Sequence, residues 1–185
     1  NLALQGKKVV VVSSGDPGVF AMASAIFEVV DKKNISRDDL PIVVLPGITA
    51  LLAASARLGA PIGHDFCVIN LSDNLKSWDI LKSRVIAAAK ADFVIAFYNP
   101  RSKSRKNQLS EIYDVLRKNC KSDRIVIYAN SVSTESEVIF ETTLSEADAS
   151  SVSMKTLVII GSSSTKKIRN TGYIYTPRYS GVEKN

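Results

Sequence analysis

The chain has 185 residues, of which 45% are hydrophobic and 23% are charged, so we expect a folded core and not disorder, a fibrous repeat or a disulfide scaffold. The net charge is +6, and most of the basic excess lies in the second half, which favours anionic partners. No apolar stretch approaches the roughly 20 residues of a membrane-spanning helix. The two cysteines have no metal-ligand spacing, so no metal site is predicted and a reducing cytoplasm is expected.

Two strand-turn-helix units are predicted at the start of the chain. Residues 9–12 are a run of valines, typical of a strand buried in a parallel sheet, and apolar residues then recur with helical spacing over 19–30. Residues 41–45 predict a second buried strand, followed by a helix over 48–58. The chain begins at Asn1 without Met or a leader-like segment, so we expect a fragment or a processed chain.

The composition turns to Gly and Pro at residues 59–63, where we place the boundary between two domains, residues 1–59 and residues 60–185. Several of the predicted strands of the second domain lie too close together for a crossover helix at every connection, so a mixed sheet is expected. Periodicity predicts helices over 78–90 and 108–118 and strands over 66–71, 92–98, 124–129, 137–143, 156–160 and 172–175.

Two turns follow the predicted strands of the first domain, at the place where open α/β sheets usually bind ligands. Ser14, Gly15 and Asp16 form the first turn, and Gly47 and Thr49 belong to the second. Gly allows close approach of a ligand to the backbone, whereas Asp16 either contacts a ligand or caps its own helix, with Pro17 at the first helical position. Spacing alone favours the cap, although two such turns at one sheet edge favour a shared ligand.

Residues 99–106 carry Arg101, Lys103, Arg105 and Lys106 and no acid. Cations at the start of a helix oppose its dipole, and an anionic ligand would remove this conflict, so we predict anion recognition here. His64 beside Asp65 is either a structural residue or one half of an acid-base pair.

These segments share motifs with a known family. They are Val-Ser-Ser-Gly-Asp-Pro-Gly-Val at 12–19, Leu-Pro-Gly-Ile-Thr-Ala at 45–50, Gly-Ala-Pro at 59–61 with His-Asp-Phe at 64–66, Leu-Ser-Asp at 71–73, Tyr-Asn-Pro-Arg-Ser-Lys-Ser-Arg at 98–105 and Thr-Pro-Arg-Tyr at 176–179. With them the chain resembles the tetrapyrrole methylases. Within that family it resembles the branch that methylates C17 of precorrin-3B in cobalamin biosynthesis.

The resemblance implies an α/β fold of two domains, namely a parallel-sheet N-terminal domain that is incomplete here and a mixed-sheet C-terminal domain. It also implies that S-adenosylmethionine binds between the domains, with S-adenosylhomocysteine as the product, and that the enzyme is a homodimer. The residues that this resemblance assigns to the cofactor are Ser14, Gly15, Asp16, Val19, Thr49, Ala50, Asn99 and Ser131.

Methyl transfer from a sulfonium to a ring carbon demands alignment more than a strong catalytic group, and no metal. The implied substrate, precorrin-3B or its cobalt form, carries many carboxylates. Its predicted contacts are Tyr98, Arg101, Lys103, Arg105 and Arg178. Contraction of the macrocycle accompanies this methylation and needs proton transfers, for which His64, Asp65 and Asp73 are the candidates.

Three alternatives stay open. A sister enzyme could methylate another tetrapyrrole carbon or ribosomal RNA. A nucleic-acid-binding module would explain the basic second half, although few aromatic residues are interleaved with the cations, so we predict neither a nucleic-acid nor a membrane partner. The chain could also be a folded but inactive fragment.

Overall fold

The computed structural model describes residues 1–102 and 104–179. The chain divides into two compact units, one of Asn1–Ala50 and one that begins at Leu51. This division precedes the domain boundary predicted from composition, because the helix after Ala50 packs within the second unit. The boundary at residue 59 stays a prediction.

Four α-helices, one short 3₁₀ helix (Ala3–Gln5) and eight strands are assigned in the described residues. The longest helix has 13 residues, and among the described residues none is long and apolar enough to cross a membrane. The elements are α1 (Met22–Lys32), α2 (Ala50–Leu58), β1 (Gly59–Ala60), β2 (Phe66–Asn70), α3 (Trp78–Lys90), β3 (Val94–Tyr98), α4 (Gln108–Asn119), β4 (Ile125–Asn130), β5 (Val138–Thr143), β6 (Thr156–Ile160), β7 (Lys166–Lys167) and β8 (Ile174–Tyr175).

A five-stranded sheet with the order β2-β3-β6-β4-β5 organises the second unit. Strands β2 and β3 are parallel, whereas β6 is antiparallel to both of its neighbours, β3 and β4. The predicted mixed sheet is therefore confirmed. Because β4 runs in the same direction as β2 and β3, these three strands end at one side of the sheet, which we call the carboxyl edge.

Helices cover both faces of this sheet. The alternating direction of side chains along β3 sends Ile95 and Phe97 to the face that packs on α3 and α4, and Val94 and Ala96 to the face that packs on α2. All four side chains are buried. The fully apolar sequence of β3 therefore reflects burial on both faces of the sheet.

Three short strands form a second sheet with the order β1-β8-β7, and β1 follows α2 directly in the sequence. Thr176 follows β8, and its hydroxyl donates to the Pro61 carbonyl at 2.6 Å, which fixes the chain after β1. The predicted strand over 172–175 is reduced to Ile174–Tyr175. The two-residue strands β1 and β7 were not predicted, because two residues carry no readable period.

The first unit confirms a helix but not its two predicted strands. Helix α1 forms, whereas residues 9–12 and 41–45 carry no strand and are mostly exposed, with Val10 at 83% and Leu45 at 75%. The prediction of two buried strands within this chain is therefore wrong. A strand exists through its ladder of hydrogen bonds, and among the described residues no segment pairs with either run.

Candidate functional site

The two turns predicted to bind a ligand touch each other in the first unit. Gly15 has a left-handed backbone with φ of 71°. A Cβ atom on Gly47 would lie 2.1 Å from the Gly15 carbonyl oxygen, a distance that no side chain tolerates. Glycine at 47 is therefore required for the close approach of the turns, and the sequence expectation that they lie together holds within this unit.

Asp16 joins the two turns through its carboxylate. One oxygen accepts a hydrogen bond from the Gly18 amide at 2.8 Å, and the other accepts from the Gly47 amide at 3.0 Å. The Gly47 amide, followed by the Gly18 amide, holds the pKa of this carboxyl below its usual value. The favoured role as a helix cap is wrong, because α1 begins only at Met22, with Ala21 at its cap position.

The other first-unit candidates lie in the same two turns. Ser14 precedes Gly15, and Val19 donates its amide to the Asp16 carbonyl at 3.2 Å. The Cα atom of Thr49 lies 3.6 Å from the place where Gly15 would carry a Cβ atom, and Ala50 is the first residue of α2. Val19 and Thr49 therefore contact the first turn directly, whereas Ser14 and Ala50 are chain neighbours of the contacting residues.

Two cofactor candidates of the second unit lie at the carboxyl edge. Asn99 follows β3 with φ of 50°, and Ser131 follows β4 with φ of 49°. Left-handed backbone at a residue other than Gly is strained, and such strain concentrates at functional sites. The Tyr98 hydroxyl accepts a hydrogen bond from the Leu51 amide at 2.8 Å, so this predicted substrate contact also holds the start of α2.

Sequence reasoning missed two further asparagines at this edge. Asn70 ends β2, and its side-chain oxygen accepts from the Asn99 side-chain amide at 3.1 Å. Asn130 ends β4, and its side-chain oxygen accepts from the Thr156 hydroxyl at 3.1 Å. A signal was present, because the predicted strands over 66–71, 92–98 and 124–129 each contain an asparagine near their end or are followed by one, and α/β sheets bind ligands at the carboxyl ends of strands.

The cations after β3 find partners inside the protein. Arg101 donates to the carbonyls of Ala149 and Ser150 at 3.0 and 2.6 Å, and Arg105 is only 7% exposed. The Arg105 guanidinium donates to the carbonyls of Leu71 and Asn99, so main-chain carbonyls are hydrogen-bond partners of both side chains. Arg178 is exposed, and Lys103 lies outside the described residues.

The three acid-base candidates do not come together. Asp65 accepts through its carbonyl from Val94 at the start of β3, so His64 and Asp65 lie at the amino end of β2, whereas Asp73 follows its carboxyl end. Five strand residues separate the ends by roughly 16 Å. The His64 Nδ1 atom accepts from the Asp65 amide at 2.6 Å and lies 3.7 Å from an oxygen of the Asp65 carboxylate.

Asp73 lies in a polar cluster at the carboxyl edge. One carboxylate oxygen accepts from Gln108 at 3.3 Å, and the other lies 3.9 Å from the Arg105 Nε atom. Within the described residues, no group of three His, Cys, Asp or Glu side chains could hold a metal ion.

Comparison with known proteins identifies the family. The sequence profile of the tetrapyrrole (corrin/porphyrin) methylases matches residues 1–148. The chain belongs to the tetrapyrrole methylases. Its predicted family, α/β fold and S-adenosylmethionine dependence as a methyltransferase are thereby confirmed.

Similar proteins include two C17-methyltransferases by name. A precorrin-3B C(17)-methyltransferase of Sinorhizobium sp is 47% identical over 98% of this chain and 73% of its own length. A probable cobalt-factor III C(17)-methyltransferase of Salmonella typhimurium is 40% identical over 96% of this chain and 71% of its own length. The crystal structure of the methyltransferase CobJ superposes with a TM-score of 0.88 at 47% identity, over 95% of this chain and 72% of that chain.

Proposed function

We propose that this methyltransferase transfers a methyl group from S-adenosylmethionine to C17 of precorrin-3B or its cobalt-containing counterpart, with contraction of the macrocycle, in cobalamin biosynthesis. The support is the 47% identity, over 98% of the chain, to a protein named for this reaction. The 40% identical relative is named for a cobalt-containing substrate, so the two substrate forms stand side by side in the proposal.

The cofactor contacts of this proposal are the turn residues of the first unit and two strand-end residues of the second. The observation that carries it is the Asp16 carboxylate, which holds two glycine turns in contact and so fixes a small backbone surface. Methyl transfer is a displacement in which alignment of donor and acceptor supplies most of the acceleration, and a fixed surface suits that demand. The proposed contacts are Ser14, Gly15, Asp16, Val19, Thr49, Ala50, Asn99 and Ser131.

For the carboxylates of the substrate, the proposal relies first on Arg178, because its side chain is exposed. Arg101, Lys103 and Tyr98 complete the proposed contacts. Proton transfers of ring contraction fall to Asp73 or to the His64–Asp65 pair. Their positions at opposite ends of β2 make these two assignments separable, since Asp73→Asn and His64→Ala affect different places.

We also propose that the enzyme is a homodimer, because of the family resemblance, and that it is cytoplasmic, because its two cysteines are free. Sedimentation at micromolar concentration tests the oligomer, and a species of one chain mass would overturn it.

The cofactor site is tested by calorimetric titration with S-adenosylhomocysteine. We expect binding in the micromolar range that weakens at least tenfold in Asp16→Ala, because the turns lose the link between them. Asp31→Ala removes an exposed acid from the same unit and serves as the control, with unchanged affinity expected. Equal affinity of Asp16→Ala and the control would contradict the assignment of this carboxylate.

The reaction is tested by incubation with S-adenosylmethionine labelled with ¹³C in its methyl group, together with precorrin-3B or cobalt-factor III. We expect a single labelled methyl at C17 in the NMR spectrum of the product. A label at another carbon would indicate a sister enzyme. Binding to RNA that falls steeply with salt, without transfer to either tetrapyrrole, would favour the nucleic-acid alternative.

A further inference from the structure

The orientation of the Asn99 side chain follows from an unambiguous donor. The Ser72 backbone amide can only donate, and it lies 2.9 Å from one side-chain atom of Asn70, which must therefore be the oxygen. The same oxygen lies 3.1 Å from the Asn99 side chain, so the group of Asn99 that faces it must be the amide nitrogen. The Asn99 carboxamide oxygen is then turned away from Asn70.

This outward oxygen is a vacant acceptor. Among the described residues, no donor reaches the Asn99 side-chain oxygen, and it is not among the buried atoms that lack a partner. Asn99 as a residue is partly exposed, at the carboxyl edge of the sheet. The backbone of Asn99 is simultaneously held in the left-handed region, with φ of 50°.

Arg105 holds that backbone from below the surface. Its guanidinium donates to the Asn99 carbonyl at 3.0 Å and to the Leu71 carbonyl at 3.1 Å, and so bridges the ends of β3 and β2. The side chain also contacts the Met154 sulfur at 3.6 Å and has Asp73 at 3.9 Å. A guanidinium that is 7% exposed, with these contacts, is poorly placed to receive a substrate carboxylate.

We propose that Asn70 and Arg105 are positioning residues that hold Asn99 so that its carboxamide oxygen accepts a hydrogen bond from the exocyclic amine of the cofactor's adenine. The proposal rests on the assignment of Asn99 to the cofactor site. It replaces the role predicted for Arg105 from sequence, since the buried guanidinium orders the site and does not bind the substrate.

Adenine and hypoxanthine distinguish this geometry, because hypoxanthine has a carbonyl oxygen where adenine has its amine. An outward acceptor favours adenine and repels hypoxanthine. A carboxamide free to turn presents its NH₂ to hypoxanthine instead and loses the preference. The ratio of the two affinities therefore reports the orientation of the Asn99 carboxamide. A general loss of stability would leave this ratio unchanged.

The first measurement needs no ligand. NMR couplings that report φ of Asn99, and the hydrogen exchange of its side-chain amide, are compared between the wild type, Asn70→Leu and Arg105→Lys. We expect faster side-chain exchange in Asn70→Leu and averaged couplings in Arg105→Lys. Lys106→Arg, the reverse exchange at an exposed neighbour, is the control and should match the wild type. Wild-type values in both variants would overturn the positioning roles.

The second measurement compares the dissociation constants of S-adenosylhomocysteine and S-inosylhomocysteine. We expect a preference of about tenfold for the adenine ligand, the factor that about 1.4 kcal/mol of hydrogen-bond energy provides. Asn70→Asp retains an acceptor for Ser72 and Asn99 and should keep the preference, whereas Asn70→Leu should reduce it to less than threefold. Equal affinities in the wild type would overturn the adenine contact.

The two measurements separate this inference from the proposed function. If the wild type binds neither ligand, the cofactor assignment fails and the adenine contact fails with it, while the couplings still decide the roles of Asn70 and Arg105. A substrate-binding role for Arg105 predicts instead that Arg105→Lys weakens binding of the tetrapyrrole and leaves the Asn99 couplings at their wild-type values.

Discussion

The first fifty residues and the rest of the chain are both rich in apolar residues, yet they use them differently. In the part of the chain that the structure describes, Ala23 is the single buried apolar side chain before Leu51, and all other members of the core follow it. Strand β3 is buried on both faces, whereas the valine run at 9–12 is exposed. A β-branched apolar run therefore predicts a tendency to form a strand, and a neighbour to pair with decides whether the strand exists.

The largest expected effect is the difference in unfolding free energy between alanine substitutions at two leucines. Leu81 of α3 is fully buried and Leu45 is 75% exposed. We expect Leu81→Ala to lower the free energy of unfolding by about 2–5 kcal/mol, because it leaves a cavity. Leu45→Ala should change it by less than about 0.5 kcal/mol. Urea denaturation followed by circular dichroism measures both.

A large decrease in the free energy of unfolding for Leu45→Ala would contradict this contrast, because it would mean that the first unit buries residues 41–45 in solution. The same titration then shows whether one or two transitions occur. A single transition with equal costs at both positions would contradict the contrast in packing that the structure describes.

A buried tyrosine pair gives a smaller effect in the packed region. Tyr113 donates to the Tyr128 hydroxyl at 2.9 Å, and Tyr128 exchanges hydrogen bonds with the backbone of Asp148. Tyr128→Phe leaves buried groups unpaired and should cost about 1–3 kcal/mol, more than Tyr113→Phe, after which Tyr128 keeps its Asp148 partners. The reverse order in urea denaturation would contradict this network.

The same two tyrosines predict a loss of stability at high pH. Burial raises the pKa of both Tyr113 and Tyr128 above the usual value of 10.0. The unfolded chain therefore ionises first, so the stability that these groups contribute is present below pH 10 and declines as the pH rises beyond it. Absorbance at alkaline pH should show two tyrosines that ionise only on unfolding.

The smallest effect is local to the first unit. The lowered pKa of Asp16 means that its carboxylate stabilises the joined turns above the usual value of 3.8 and stops doing so as the pH falls through the lowered value. We expect the Gly47 amide to exchange slowly at pH 5 and faster in Asp16→Asn, with little change in global unfolding. Fast exchange in the wild type at pH 5 would contradict the bridge.

Much of the second unit could be predicted, because periodicity and burial agree there. The predicted helix over 78–90 and the predicted strand over 156–160 match α3 and β6. The runs at 9–12 and 41–45 were mispredicted, because periodicity does not reveal whether a pairing strand is present.

The candidate site was predictable in its turns and not in its connections. Gly15 and Gly47 could be placed from their motifs, whereas the Asp16 bridge between them spans 31 positions of sequence. Asn70 and Asn99 are 29 positions apart, and only the sheet register brings them together. Arg105 was predicted to bind an anion, because the local sequence does not reveal whether a side chain is buried or exposed.

The contact between Gly47 and Gly15 restricts the substitutions that position 47 can accept during evolution. No amino acid is intermediate in size between glycine and alanine, and even one added carbon at 47 meets the Gly15 carbonyl at 2.1 Å. No substitution at position 47 is therefore small enough to fit, and every replacement of Gly47 forces the two turns apart. In a complete mutational scan, Gly47 should tolerate none of the nineteen alternatives, whereas Gly6, which has no atom within 4 Å of an added carbon, should accept several despite its positive φ.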